Sequence, residues 1–144
     1  MIRHAGLIAL RLEGAWRGVL IEGAAGAGKS DLALRSLAAG FRLVADDRLM
    51  LWVSGGALFG RAPDTLAGRL EIRGLDVVTA PALPLARVAL LVRCGAPERI
   101  PKPRSEKILG LAIPLVELDP REPSAPAKLS RALSHFDAAH NRRI

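Results

Sequence analysis

The residues Gly23-Ala24-Ala25-Gly26-Ala27-Gly28-Lys29-Ser30 fit the pattern G-x-x-x-x-G-K-[ST], whose chemistry is the grip of a phosphate chain. Glycine and alanine leave room for backbone N–H groups to curl around phosphate oxygens. A helix that starts directly afterwards adds unpaired donors and the positive end of its dipole. In such a loop Lys29 reaches the β- and γ-phosphates, and the Ser30 hydroxyl ligates Mg²⁺. The pattern has meaning only between a strand and a helix. Val19-Leu20-Ile21 reads as a short buried strand and residues 31–39 as a helix, so that context is met.

Two further groups of polar residues bear on the chemistry. Leu43-Val44-Ala45-Asp46-Asp47 is an apolar strand ending in acid, and Asp46 lies 17 residues past Lys29. A carboxylate there can face the last phosphate and accept the proton of an attacking hydroxyl. A pair of acids at a surface turn is the alternative. In Leu70-Glu71-Ile72-Arg73-Gly74, alternate strand positions place Glu71 and Arg73 on one face. Glu71 is a candidate Mg²⁺ ligand and Arg73 a candidate phosphate contact, with a surface ion pair as the alternative. Of the histidines, His4 precedes the first long strand, where it can approach the loop, whereas His135 and His140 read as residues near the C-terminal end.

The elements that must position these groups follow from periodicity and punctuation. Residues 6–12 form a first strand, residues 14–18 turn the chain, and residues 17–22 form a second strand that pairs with the first as a hairpin. The helix over 31–39 is amphipathic and about three turns long, closed by Gly40. Strands follow over 41–45 and 48–53, then a Ser54-Gly55-Gly56 hairpin turn into 57–60. Residues 61–68 are a loop with one helical turn, and short strands follow over 70–74 and 77–78. Residues 87–93, rich in Val, Ala and Leu, read as a strand buried on both faces. Residues 96–104 are a proline-rich loop, and residues 108–118 give one or two strands broken by Pro114. Ser124 caps a last helix over 125–136, and residues 137–144 fray. The fold class is α/β, a strand-rich phosphate-loop domain with two main helices. That is too few helices for a chain alternating strand and helix throughout.

Bulk properties bound the rest. The chain has 144 residues, enough for one domain with a real core, and 50% of them are apolar. Aromatic residues are scarce and tyrosine is absent, which argues against a stacking platform for single-stranded nucleic acid. The net charge of +7 is scattered, with its densest groups at Arg99, Lys102, Arg104 and Lys107 and at Arg142-Arg143. Phosphate substrates, an acidic protein partner or simple solubility account for it without nucleic acid. Cys94 is the only cysteine, so no disulfide forms within the chain. No apolar run has the length of a membrane span, and the N-terminus lacks the layout of a secretion signal. The expectation is a cytoplasmic protein bound to no membrane.

Taken in order, Gly23 to Asp31, L-V-A-D-D (Leu43 to Asp47), L-E-I-R-G-L (Leu70 to Leu75) and I-L-G-x-x-I-P (Ile108 to Pro114) resemble HPr kinase/phosphorylase. The resemblance extends from His4 to the last helix. It implies ATP- and Mg²⁺-dependent phosphorylation of a serine of the phosphocarrier protein HPr, within phosphotransferase-system regulation, and reversal by phosphorolysis. It implies that Asp46 is the base and Lys29 the loop lysine, that residues 23–30 bind the nucleotide, and that Ser30 and Glu71 hold Mg²⁺. His4, in His-Ala-Gly, is similar to an active-site histidine, and Arg99, in Pro-Glu-Arg-Ile, to a catalytic arginine. A homo-oligomer, a hexamer in the family, is likewise implied by resemblance.

The departures narrow this. The family's usual N-terminal domain is absent, so residues 1–144 resemble a short form known in some α-proteobacteria, a catalytic domain alone. Asp76 stands where the family has glycine. Residues 118–123 replace a segment associated with phosphorolysis, which leaves the kinase direction better supported. The competing readings are a nucleotide-binding regulatory domain without catalysis, a small-molecule kinase, and a GTPase-like switch. The last lacks its N-K-x-D element.

Overall fold

Apolar residues stand at successive positions in Leu7-Ile8, Val19-Leu20-Ile21 and Leu90-Leu91-Val92, so side chains leave these strands toward both faces and both must be covered. In the computed structural model, which describes residues 1–137, that is the arrangement found. The elements are β1 (Ile2–Arg3), β2 (Gly6–Leu12), β3 (Ala15–Glu22), α1 (Lys29–Ala38), β4 (Arg42–Ala45), β5 (Leu49–Ser54), β6 (Ala57–Arg61), β7 (Arg69–Ile72), β8 (Asp76–Thr79), β9 (Ala86–Cys94), β10 (Arg104–Ile108), β11 (Leu111–Leu118) and α2 (Ala125–Phe136). A nine-stranded mixed sheet runs β1-β5-β6-β9-β3-β2-β4, with β11 also paired to β9 and β10 to β11, while β7 and β8 form a separate hairpin.

One face packs Leu7, Leu20, Leu51, Leu58, Leu91 and Leu115 into a core closed by strands. The other packs Ile8, Val19, Ile21, Leu90 and Val92 against Leu32 of α1, Leu70 of β7 and Leu129 and Leu133 of α2. The strand after the proline-rich stretch at Pro81 and Pro84 is the centre of the molecule. β9 runs parallel to β3 through Leu91↔Leu20 and parallel to β11 through Leu115↔Leu91. Gly18 is required where β3 and β9 approach: a Cβ there would lie 2.5 Å from the Arg87 carbonyl oxygen.

Residues 104–108, expected to lie mostly between a loop and the next strand, form β10, and the structure departs from the sequence expectations in four further places. The first turn is tighter than residues 14–18. Glu13 and Gly14, at φ 51° and 78°, make it, and β3 begins at Ala15. Pro114 does not break its strand. It pairs with Ser105 inside β11, and the parallel pairing to β9 starts only at Leu115, so its missing N–H costs no bond on that side. Ser124 precedes α2, but its side chain makes no capping hydrogen bond, and Pro126 near the helix start offsets the need for one. Asp137 does not fray. Its carboxylate is buried against Arg87 Nη2 at 2.7 Å and Arg17 Nη1 at 3.7 Å. The rest of the tail, with His140, Arg142 and Arg143, lies outside the described residues.

The Asp137 cluster fastens the end of α2 to β3 and β9. Asp137→Asn should lower stability by about 3 kcal/mol in urea unfolding, because Arg17 is only 3% exposed and loses its counter-charge. A loss under about 0.5 kcal/mol would show that water compensates Arg17 instead.

Candidate active site

Strand direction brings the chemical residues to one edge of the sheet. The antiparallel pairs Gly6↔Ile21 and Leu7↔Ala45 put the start of β2 beside the ends of β3 and β4. The parallel pair Glu22↔Arg93 puts the end of β9 there as well. The phosphate loop leaves from β3, the Asp46-Asp47 pair from β4, and the 95–103 loop from β9.

The loop itself has the expected form. Gly26 and Gly28 take left-handed φ values of 80° and 107°, open only to glycine without strain. Gly23 is needed for space: a Cβ would lie 2.9 Å from that of Cys94. Burial pushes the Cys94 thiol pKa up, so this neighbour stays a neutral packing group. α1 begins at Lys29 with Gly28 as its cap, and no side chain takes the first-turn N–H groups, which leaves them for an anion. Lys29 Nζ donates to the Gly23 and Ala24 carbonyls at 2.7 and 3.2 Å. Ala25 and Ala27 complete the curve, with Ala27 N–H donating to the Ala24 carbonyl at 3.0 Å.

A cleft of about 600 Å³ opens over this loop, walled by α1, the β7–β8 hairpin and the segment after β11. Asp46 ties its two sides together. Oδ1 accepts from the Ser30 hydroxyl at 2.8 Å, and Oδ2 accepts from the Glu71 backbone N–H at 3.0 Å. Ser30, Asp47 and Glu71 all line this one cleft. Asp47 sits at φ 65°, a left-handed conformation that turns the chain sharply after β4, and the residue lines the cleft. Among the described residues, the Asp47 and Glu71 carboxylates have no hydrogen-bond donor.

These hard oxygen donors fit Mg²⁺, which takes one or two carboxylates together with phosphate oxygens and water. Among the described residues no cluster of three carboxylate, histidine or cysteine ligands stands ready-made.

Two of the sequence candidates fall elsewhere. His4 and Arg99 are at the same sheet edge, but both are exposed and neither lines the cleft. Arg3, next to His4, is drawn to Glu22 and Glu106, and Arg99 lies in the 95–103 loop between β9 and β10. Two arginines line the cleft instead. Arg73 rides on the β7–β8 hairpin, and Arg121 donates to the Gly26 carbonyl at 2.9 Å. Arg121 carries no motif; its signal is Asp119-Pro120-Arg121, in which the Asp119 carboxylate accepts from the Arg121 N–H at 3.0 Å and tightens the turn.

Beneath the loop, four charges alternate across β1, β3, β9 and β10. Arg3 pairs with Glu22, and Arg3 and Arg93 each reach Glu106 at 2.7 Å, while Arg93 approaches Glu22 at 3.4 Å. Hydrogen bonds from Arg3 and Arg93 hold the Glu106 pKa below the ordinary carboxylate range. Bonds to Glu22 and Glu106 in turn raise the Arg3 and Arg93 pKa values. Glu22 directly precedes Gly23, so this network anchors the loop's first residue. A depressed acid stabilises above its unfolded pKa, and that contribution is lost as the pH falls through the folded one. Glu106→Gln should therefore cost about 1 kcal/mol at neutral pH, and the gap to wild type should close as the pH drops below the ordinary glutamate range. A gap constant with pH in thermal unfolding would show that charge is not the cause.

Comparison with known proteins agrees with this geometry. The profile of the HPr Serine kinase C-terminal domain family matches residues 4–83. Over 66 residues the chain is 44% identical to HPr kinase/phosphorylase of Clostridium tetani and 42% identical to that of Clostridium acetobutylicum. Each match covers 46% of this chain and spans 22% of the relative's length. The Hpr(Ser) kinase/phosphatase structure from Coxiella burnetii is similar over 94% of this chain and 95% of that one, with a TM-score of 0.79 and 26% identity. The loop, the acid pair and the L-E-I-R hairpin all lie within the matched residues, and the chain belongs to the HPr serine kinase C-terminal domain family.

Proposed function

We propose that this chain is an ATP- and Mg²⁺-dependent protein-serine kinase that phosphorylates an HPr-like phosphocarrier protein in phosphotransferase-system regulation. The observation that carries the reading is the Asp46 clasp, which sets a phosphate-binding loop beside Asp47 and Glu71, two acids that meet no donor among the described residues, in one open cleft. An open mouth suits a serine presented on another protein.

The division of labour between the two aspartates follows from their partners. Both Asp46 oxygens already accept hydrogen bonds, from Ser30 and from the Glu71 backbone. Asp47 lines the cleft and among the described residues its carboxylate meets no donor, which makes it the better placed to take the serine proton. We therefore read Asp47 as the base and Asp46, the base implied by resemblance, as the residue that orients Ser30 and Glu71. Lys29 exchanges its two carbonyl acceptors for phosphate oxygens, a stronger charge-assisted bond. Ser30 and Glu71 would hold Mg²⁺, which supplies neutralisation of the triphosphate charge when bound. The N–H groups of residues 24–30 orient the phosphates, and most of the rate comes from positioning and electrostatics.

A cytoplasmic location accords with ATP use, and no described helix is long and apolar enough to cross a membrane. The homo-oligomer, a hexamer in the family, rests on resemblance alone, as does phosphorolysis, which the changed 118–123 segment disfavours.

Incubation with labelled ATP, Mg²⁺ and an HPr protein should place label on an HPr serine. Label on a small molecule, or none, overturns the reading. Asp47→Asn should reduce transfer by roughly 10² or more while ATP affinity stays within about twofold. Transfer at the wild-type rate by Asp47→Asn, with loss in Asp46→Asn, would return the base to Asp46.

A further inference from the structure

The segment between β11 and α2 is built to aim one side chain. Arg35 of α1 donates to the backbone on both sides of Arg121, through Nη2 to the Pro120 carbonyl and through Nη1 to the Glu122 carbonyl at 3.1 Å. Arg35 is itself held by Asp31 at 2.9 Å, one turn earlier on the same helix. Asp119 accepts the Arg121 N–H at 3.0 Å, and Pro120 lies so close to Gly28 that a Cβ there would sit 3.6 Å from the proline ring. Pro120 and Glu122 are thus fixed to the phosphate loop or to its helix, Asp119 braces the turn between them, and Arg121 extends over the loop.

Among the described residues its guanidinium meets no carboxylate. Nη2 donates to the Gly26 carbonyl at 2.9 Å, at the crest of the loop. Arg73 approaches the same crest from the hairpin: a Cβ on Gly26 would lie 3.9 Å from its Nη2. A neutral carbonyl is a weak acceptor for a cation with five donors, and a phosphate oxygen within reach is a better one. We propose that Arg121 is a nucleotide-binding residue. It moves from the Gly26 carbonyl to the phosphate tail when nucleotide enters and forms, with Lys29 below, a two-sided cationic grip. Arg35 is then a positioning residue, acting through the Pro120 and Glu122 carbonyls. The inference rests on the phosphate-loop reading but not on which molecule receives the phosphoryl group.

The test is affinity, measured by titration calorimetry with Mg·ATP and Mg·ADP at several salt concentrations, on wild type, Arg121→Gln and Arg121→Lys. Arg121→Gln should weaken both nucleotides about tenfold and flatten the salt dependence, because one charge contact is gone. Arg121→Lys should recover the salt dependence and part of the affinity, since it keeps the charge and loses the fork. Thermal unfolding without nucleotide should be unchanged in both. Equal affinity and equal salt dependence in Arg121→Gln would overturn the proposal. So would weakened binding with an unaltered salt dependence, which marks a brace for the loop and no more. Wild type that binds ATP tightly yet leaves HPr unlabelled would fail the kinase reading and leave this one standing. Wild type that binds no nucleotide would end both.

Discussion

The carboxylate of Asp46 is the point on which the cleft depends. A phosphate loop alone can grip an anion, but it does not fix where the acceptor or the metal ligands stand. Asp46 does so by spending both oxygens on structure, one on the Ser30 hydroxyl at the head of α1 and one on the Glu71 N–H of the β7–β8 hairpin. The hairpin belongs to no larger sheet, and α1 touches it through the Leu70 side of the core. Without the clasp, Glu71 and Arg73 would have their positions set by packing alone.

The clasp can form because β4 lies two strands from β3, with β2 between them. In that order the strand carrying Asp46 ends level with the loop, while its neighbour runs the opposite way and brings its own start to the same edge. β9 then closes the other side of β3, so tightly that Gly23 and Gly18 have no room for a side chain. The Arg3–Glu22–Arg93–Glu106 network lies under this convergence. Its half-buried charges lock four strand ends in register and contribute modestly to stability.

The cations over the cleft reach the loop from two directions, Arg73 from the β7–β8 hairpin and Arg121 from the segment after β11. Residues 119–122 turn through an Asp-Pro-Arg sequence and are pinned by a helix arginine, so the charge is delivered by backbone bracing in place of a motif. Asp31, which a surface view would treat as dipole compensation at the start of α1, also serves here by holding Arg35 in place.

Much of this was legible in the residues. Gly23 to Ser30, the strand and helix on either side, the β2–β3 hairpin, the doubly buried β9 and both helices could be read because their signals are local: periodicity, glycine at left-handed positions, small residues at a tight turn. The L-V-A-D-D and L-E-I-R-G-L strings identified the right strands. By resemblance they pointed to Asp46 as the base, but they could not show that both of its oxygens are taken by the Ser30 hydroxyl and the Glu71 N–H. Nor did spacing separate Arg121 from His4 and Arg99. All three lie near the loop's end of the sheet, and only the path of the chain after β11 and after β9 decides which reaches the cleft. The sequence by itself determined the phosphate loop and the strands and helix that frame it, because backbone conformation there is dictated by neighbours a few residues away. The tertiary structure alone decided that Asp46 is engaged through both oxygens and that Arg121 reaches the Gly26 carbonyl, because those depend on contacts between residues 16 to 95 positions apart.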